Sequence, residues 1–202
     1  MMQMKLLAKG AEADVFAGSI ANIPAVFKMR KPKAYRVKAL DELIRATRTK
    51  KEARLLHAAK GAGAACPLVL SVGNYEIVMT RLKGKLMREL DERKLAAVAP
   101  AIGTLLASLH EAGITHGDFT PANVMVDGQK VAVIDFGLGE FTHDDEELAT
   151  DLLLMKKSVP ERAYWAFLRT YNRARGPKAK ATLARLEEIE KRGRYVVRGA
   201  LV

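Results

Sequence analysis

Residues 114–139, ITHGDFTPANVMVDGQKVAVIDFGLG, set His116, Asp118, Asn123 and Asp135 among apolar runs that should be buried strands. Acceptors gathered at such a place need cations. The apolar runs predict two brief strands, 123–127 and 130–134, turning at Asp127-Gly128. Asp118 and Asn123 then lie before a hairpin and Asp135 after it, so both ends converge on one edge. Asn123 and Asp135 offer hard oxygen ligands of the kind Mg²⁺ takes, an incomplete set that leaves positions for water and phosphate oxygens. Asp118, five residues before the asparagine, is spaced to meet an incoming hydroxyl or water.

The elements that must hold these residues can be read from periodicity. Short apolar stretches broken by Gly, Asn and Pro in the first thirty residues and over 66–80 predict strands joined by turns. Between them, ALDELIRATRTKKEARLLHAAK repeats Leu40, Leu43, Ile44, Ala53, Leu55 and Leu56 on one side of an amphipathic helix. A second helix starts near residue 92 and is capped at Gly113, and the chain reads as helical from about 144 to 191, interrupted at Pro160 and at Gly176-Pro177. The expected architecture is α+β, a β-rich part with one helix followed by a helical part, with the boundary near residues 80–85.

The bulk properties bound the partners. With 202 residues, 49% hydrophobic, the chain can bury one compact core. A formal net charge of +11 points to a polyanionic partner or an acidic protein surface. Cys66 is the single cysteine, which excludes an intrachain disulfide and a Cys-rich zinc site. Lys5, Lys9 and Glu12 break any apolar signal core, and no apolar run of membrane-spanning length occurs, so a soluble, cytoplasmic protein without membrane association is expected.

The spacing HGDxxxxN, followed twelve residues later by DFG, resembles the catalytic and metal-binding segments of the protein-kinase-like superfamily. That resemblance implies a minimal bilobal fold that uses ATP and Mg²⁺. It assigns Asp118 to the nucleophile and Asn123 and Asp135 to metal and nucleotide. Upstream, Lys28 in AVFKM matches the lysine that reaches the ATP phosphates, and Glu52 in TKKEARLL matches the glutamate that pairs with it. KGAEADVFAG stands where the glycine-rich loop belongs, keeping Gly10 but placing Ala11 and Ala13 where further glycines are usual, so an altered phosphate grip is expected. Ile77 to Leu82 resembles the hinge that meets adenine through its backbone, with Met79 either flanking the base or filling a plain core strand. Gly117 replaces the arginine that in many kinases receives an activation-loop phosphate. SVPER (158–162) imitates the end of an activation segment, but a helix should run straight into it. Asp151 resembles the buried aspartate that braces the catalytic loop.

The set GAEADVF, KPKAYRVKALDELIRATRTKKEARLL, HGDFTPANVM, IDFGLG and EELATDLLLM is similar to the small atypical kinase subunit of the KEOPS complex. This resemblance implies a kinase-like domain over 1–202, with an N-terminal lobe (1–82), a C-terminal lobe (83–191) and a basic tail (192–202). It further implies a serine/threonine kinase or ATPase working in tRNA threonylcarbamoyl-adenosine formation. The implied partners are the threonylcarbamoyl-transferase subunit, a small regulatory subunit, and tRNA through the complex. Water is favoured as phosphoryl acceptor over a protein Ser/Thr. Competing readings are a non-catalytic nucleotide-binding scaffold, an aminoglycoside-type phosphotransferase, and a RIO kinase, from which IDFGLG separates the chain. Two basic runs, FKMRKPKAYR and KRGRYVVR, are either solvated faces or contacts to a polyanion, and the second is sparser than the family's usual tail.

Overall fold

A computed structural model describes residues 4–199, and side chains as far as Arg192. The chain opens with three antiparallel strands, β1 (Lys5–Lys9), β2 (Ala13–Ile20) and β3 (Ile23–Arg30). β2 and β3 are joined by Ala21-Asn22, both at positive φ (48° and 64°), the twist that a two-residue hairpin needs. Helix α1 (Lys38–Gly61) follows, then β4 (Val69–Val72) and β5 (Glu76–Thr80). The five strands form one antiparallel sheet in the order β1-β2-β3-β5-β4. The crossing of β3 to β5 past β4 leaves Lys28 on a central strand, paired with Val15 on one side and Ile77 on the other.

Beyond Thr80 the chain makes β6 (Lys85–Leu86), a single 3₁₀ turn and helix α2 (Glu92–Glu111). Asp91 starts α2 by accepting a hydrogen bond from the Lys94 N–H at 2.9 Å. β7 (Ile114–Thr115), β8 (Val124–Asp127), β9 (Lys130–Val133) and β10 (Glu140–Phe141) frame the segment 116–123: β6, β8 and β9 form a small sheet, and β10 pairs back onto β7. The β8–β9 turn is Gly128-Gln129, one residue beyond the expected Asp127-Gly128, because Asp127 ends β8 paired with Lys130; Gly128 sits at φ 60°.

Three helices complete the fold, α3 (Asp145–Ser158), α4 (Glu161–Arg175) and α5 (Ala179–Gly199). Helix α3 runs into SVPER, Pro160 caps α4, and Gly176-Pro177 breaks the chain before α5. Helix α5 continues past the predicted end at 191, because nothing at Lys191-Arg192 breaks it. The tail expectation over 192–202 lies mostly outside the residues whose side chains are described.

One hydrophobic cluster runs through both parts, from Leu55 and Leu56 on α1 and Ile77 on β5 to Leu106 on α2, Val133 on β9 and Phe167 on α4. A small satellite of Ala25, Phe27 and Val78 covers the other face of the sheet. Helices α2 and α4 approach so closely that a Cβ on Gly103 would stand 2.2 Å from the Phe167 carbonyl oxygen. The α2–α4 pair therefore forms a rigid floor beneath the β7–β10 region.

Candidate active site

Lys28 lies near the C-terminal end of β3, where strand alternation turns it toward α1. Its ammonium sits 2.6 Å from Glu52 Oε1 and 2.6 Å from Asp135 Oδ1. Glu52 is buried on the inner face of α1, with its side chain 1% exposed. A carboxylate so desolvated must be paired. Its second oxygen takes the Arg30 guanidinium at 2.5 Å, a partner the sequence reading missed. The available signal was spacing: Arg30 follows Lys28 by two residues, so both side chains leave the same face of the strand.

The residues of the segment 116–123 assemble around the start of the β8–β9 hairpin. Asn123 Nδ2 donates to the Asp118 carbonyl at 2.9 Å and to Asp118 Oδ2 at 2.8 Å. Backbone hydrogen bonds from Thr120 N to Asp118 O and from Asn123 N to Thr120 O, each 2.9 Å, close this loop, and Ile134 N to Asn123 O ties it to the strand leading to Asp135. His116 donates through Nε2 to the Ile134 carbonyl (2.9 Å) and accepts the Asp118 N–H at Nδ1 (3.3 Å). Those partners fix the neutral ring with its proton on Nε2.

Asp151 on α3 braces the loop from beneath. It is 0% exposed and accepts the N–H groups of His116 (2.7 Å) and Gly117 (2.9 Å). His110 on α2, also fully buried, meets Asp151 Oδ2 at 3.2 Å and the Tyr171 hydroxyl at 2.8 Å. Burial drives the His110 pKa down, and the neighbouring Asp151 only partly offsets it. Gly117 sits at φ 74°, and a Cβ there would stand 2.3 Å from the Leu138 carbonyl oxygen. No side chain fits at this point, which is the physical reason that an arginine is absent.

Asp135 has a left-handed backbone, φ 63°, unusual for a residue with a Cβ and found where surrounding structure holds strain in place. Burial opposes its charge, but Lys28 and the Gly137 N–H (3.0 Å) outweigh that and hold the carboxyl below the usual range. Gly137 leaves the space that this cluster fills: a Cβ there would come within 2.9 Å of Asp135 Oδ1 and 3.6 Å of Lys28 Nζ.

Both side-chain protons of Asn123 are donated to Asp118, so its Oδ1 remains as an acceptor. Asp135 likewise accepts through Oδ1 and keeps Oδ2. Among the described residues no group of three His, Cys, Asp or Glu side chains is placed to hold a metal. Asn123 Oδ1 and Asp135 Oδ2 are left as hard oxygen acceptors, of the kind that fits Mg²⁺ together with water and phosphate oxygens.

The other predicted residues are placed as follows. Gly10 closes the β1–β2 turn by donating its N–H to Ala13 O at 2.9 Å, and a Cβ on it would meet that oxygen at 2.7 Å. The exposed Ala11 gives its carbonyl to Lys33 Nζ, so this turn is tied to the segment after β3. Met79 is 6% exposed and belongs to the main core. The run FKMRKPKAYR is not a uniform basic face: Lys28 and Arg30 are buried, Lys31 pairs with Asp14 (2.9 Å), and Arg36 lies 3.6 Å from Asp41. Of KRGRYVVR, Arg192 bonds Glu146 at 2.9 Å, and the side chains after it lie outside the described residues. Among the described residues no helix is long and apolar enough to cross a membrane.

The family model described as the RIO domain matches residues 24–156. The chain is 37% identical over 195 residues to the probable serine/threonine-protein kinase BUD32 homolog of Archaeoglobus fulgidus, covering 94% of this chain and 95% of that protein. It is also 37% identical over 196 residues to the probable bifunctional tRNA threonylcarbamoyladenosine biosynthesis protein of Methanothermobacter thermautotrophicus. That match covers 94% of this chain and 36% of the relative, so the chain spans about a third of that protein's length. Among solved structures, the Rio2 kinase–ADP/Mg²⁺–phosphoaspartate complex from Chaetomium thermophilum superposes with a TM-score of 0.68 at 16% identity, covering 94% of this chain and 71% of that one. At that identity the likeness shows the protein-kinase-like fold. The RIO-domain match includes IDFGLG and so corrects the expectation that this segment separates the chain from RIO kinases.

Proposed function

The chain is a RIO-domain protein and a BUD32 homologue, and on that footing we propose that it transfers the γ-phosphoryl group of Mg-ATP within a tRNA threonylcarbamoyladenosine-forming assembly. The observation that carries this reading is the Lys28 ammonium, held 2.6 Å from both Glu52 and Asp135, between the sheet and the β8–β9 hairpin. Phosphoryl transfer demands positioning and charge neutralisation more than covalent help from the protein, and this arrangement supplies both.

Lys28 presents its charge to the α/β-phosphates while Glu52 fixes its direction. Asn123 and Asp135 are the residues that would hold Mg²⁺, through Oδ1 and Oδ2, and the ion would supply neutralisation of phosphate charge. The bond that breaks is that from γ-phosphorus to the β-bridging oxygen. Asp118 faces the nucleophile, with one carboxylate oxygen fixed by Asn123 and the other left to accept the nucleophile's proton as its oxygen bonds to γ-phosphorus and ADP leaves. Gly10 and Ala11 line the phosphate side, and the backbone after Met79 meets adenine. The lobes are residues 1–82 and 83–191, with 192–202 as a basic tail. The acceptor is water within the complex, and protein serine or threonine hydroxyls otherwise.

The partners are a threonylcarbamoyl-transferase subunit and a small regulatory subunit in the cytoplasm, with tRNA reached through the complex. The longer relatives named for threonylcarbamoyladenosine biosynthesis, in which the matching segment is 36% of the whole, support a unit that works beside another. Release of inorganic phosphate from Mg-ATP tests the proposal, measured on the pure chain and again with a threonylcarbamoyl-transferase and tRNA. Turnover that rises with both added supports it, and turnover absent throughout refutes it.

A further inference from the structure

Arg30 is more deeply buried than a strand-end arginine needs to be. Its side chain is 4% exposed, and its Nη2 sits 2.5 Å from Glu52 Oε2. Its Nε is buried with no hydrogen-bond partner, so the guanidinium has been taken from water for the sake of one contact. That contact completes a chain of alternating charges, Arg30–Glu52–Lys28–Asp135, with each Glu52 oxygen engaging its own cation. The guanidinium also reaches the cleft: the point where a Gly137 Cβ would stand is 3.8 Å from Arg30 Nη2 and 3.6 Å from Lys28 Nζ.

A Lys28 that served alone would have two buried obligations. It would be the only counter-charge of a carboxylate that is 1% exposed, and it would have to turn its donors to phosphate. Each step toward phosphate would then leave Glu52 uncompensated in a low-dielectric site. Arg30 removes this conflict by keeping Glu52 neutralised at its other oxygen.

On the nucleotide-site reading proposed above, we infer that Arg30 is a positioning residue for phosphoryl transfer: it engages Glu52 Oε2 and holds that carboxylate in place, so that Lys28 is free to engage the phosphates. It acts through Glu52. With Arg30 neutral, Glu52 competes with phosphate for Lys28, and the loss appears in Mg-ATP affinity.

The test is calorimetric titration of the whole chain with Mg-ATP in four forms: wild type, Arg30→Gln, Glu52→Gln and the double variant, with melting curves for each. Arg30→Gln should weaken Mg-ATP binding by about tenfold, the size of one lost charge-assisted contact. In the Glu52→Gln background the same change should alter affinity by less than about twofold, because the competing charge is already gone. Arg30→Lys, which keeps the charge, should stay within about threefold of wild type, and it carries the test alone if Arg30→Gln loses its cooperative melting transition. Three results overturn the inference while leaving the nucleotide site standing: wild-type affinity in a folded Arg30→Gln, an equal loss in both backgrounds, or a tenfold loss in Arg30→Lys. If wild type itself does not bind Mg-ATP, the nucleotide reading fails and the inference fails with it.

Discussion

The Asn123 side-chain amide donates to two oxygens of Asp118, the backbone carbonyl at 2.9 Å and carboxylate Oδ2 at 2.8 Å. One residue thereby fixes the loop and orients the carboxylate, and its own oxygen is left as an acceptor. On the proposed function, Asp118 acts on the nucleophile and not on the nucleotide. Asp118→Asn should leave Mg-ATP affinity within about threefold and lower kcat by about 100-fold or more. Titration calorimetry beside steady-state phosphate release separates the two, and a large loss of affinity with unchanged turnover would contradict the role.

Gly137 lies where Asp135, Lys28 and Arg30 converge, and a Cβ there would stand 2.9 Å from Asp135 Oδ1. Gly137→Ala should push that carboxylate aside and raise the Mg²⁺ concentration needed for half-maximal turnover, with little change in melting temperature. An unchanged Mg²⁺ requirement would show that the cluster has room to spare.

The α2–α4 crossing is tight for a packing reason alone. Gly103→Ala brings a methyl group to 2.2 Å from the Phe167 carbonyl oxygen and 2.3 Å from Thr170 Oγ1, so the helices must separate. A loss of about 2 kcal/mol or more is expected in denaturant unfolding. A change below about 0.5 kcal/mol would mean that the helices slide apart freely.

His110 predicts how acid acts on the fold. Its pKa is lowered in the folded protein because burial disfavours the imidazolium, with Asp151 pulling the other way and Arg175 adding to the lowering. The unfolded chain therefore takes up a proton first, and stability falls as pH drops through about 6.5, with a slope of up to about 1.4 kcal/mol per pH unit from this group. Unfolding curves from pH 7.5 to 5.5 for wild type and His110→Gln should show a shallower fall in the variant. Parallel curves would place the acid sensitivity elsewhere.

Cys66 should be inert. It is buried, and desolvation pushes its thiol up to about 11 despite the nearby Lys60 charge. Iodoacetamide at pH 8 should label it only at the rate of unfolding, and fast labelling of the folded chain would contradict that burial.

Much of the site was legible because its residues are local in sequence. The spacing of Asp118, Asn123 and Asp135 around a hairpin is a short-range pattern, and Gly128 marks the turn to within one residue of its place at Gly128-Gln129. Lys28 and Glu52 were found only through the kinase resemblance, since nothing in a strand lysine or a helix glutamate announces a partner 24 residues away. Arg30 was read as part of a basic run because composition does not say which cations are buried; that depends on α1 folding onto β3. The Lys33 tether of Ala11 depends on the same packing. His110 was assigned no specific role, as its link to Asp151 spans 41 residues and two helices. The strand pairs β6–β8 and β7–β10 were likewise invisible, because two-residue strands carry no period.

If Asp135 carries the metal for phosphoryl transfer from ATP, magnesium-titrated phosphate release by Asp135→Asn will register its loss. A neutral amide keeps the shape but cannot balance the ion's charge, and it also releases Lys28 from a pairing at 2.6 Å. Wild type should turn over Mg-ATP in a Mg²⁺-dependent way. The variant, with an unchanged melting profile, should stay at least about 100-fold slower at every Mg²⁺ concentration. Near-wild-type turnover of Asp135→Asn at saturating Mg²⁺ would contradict the account.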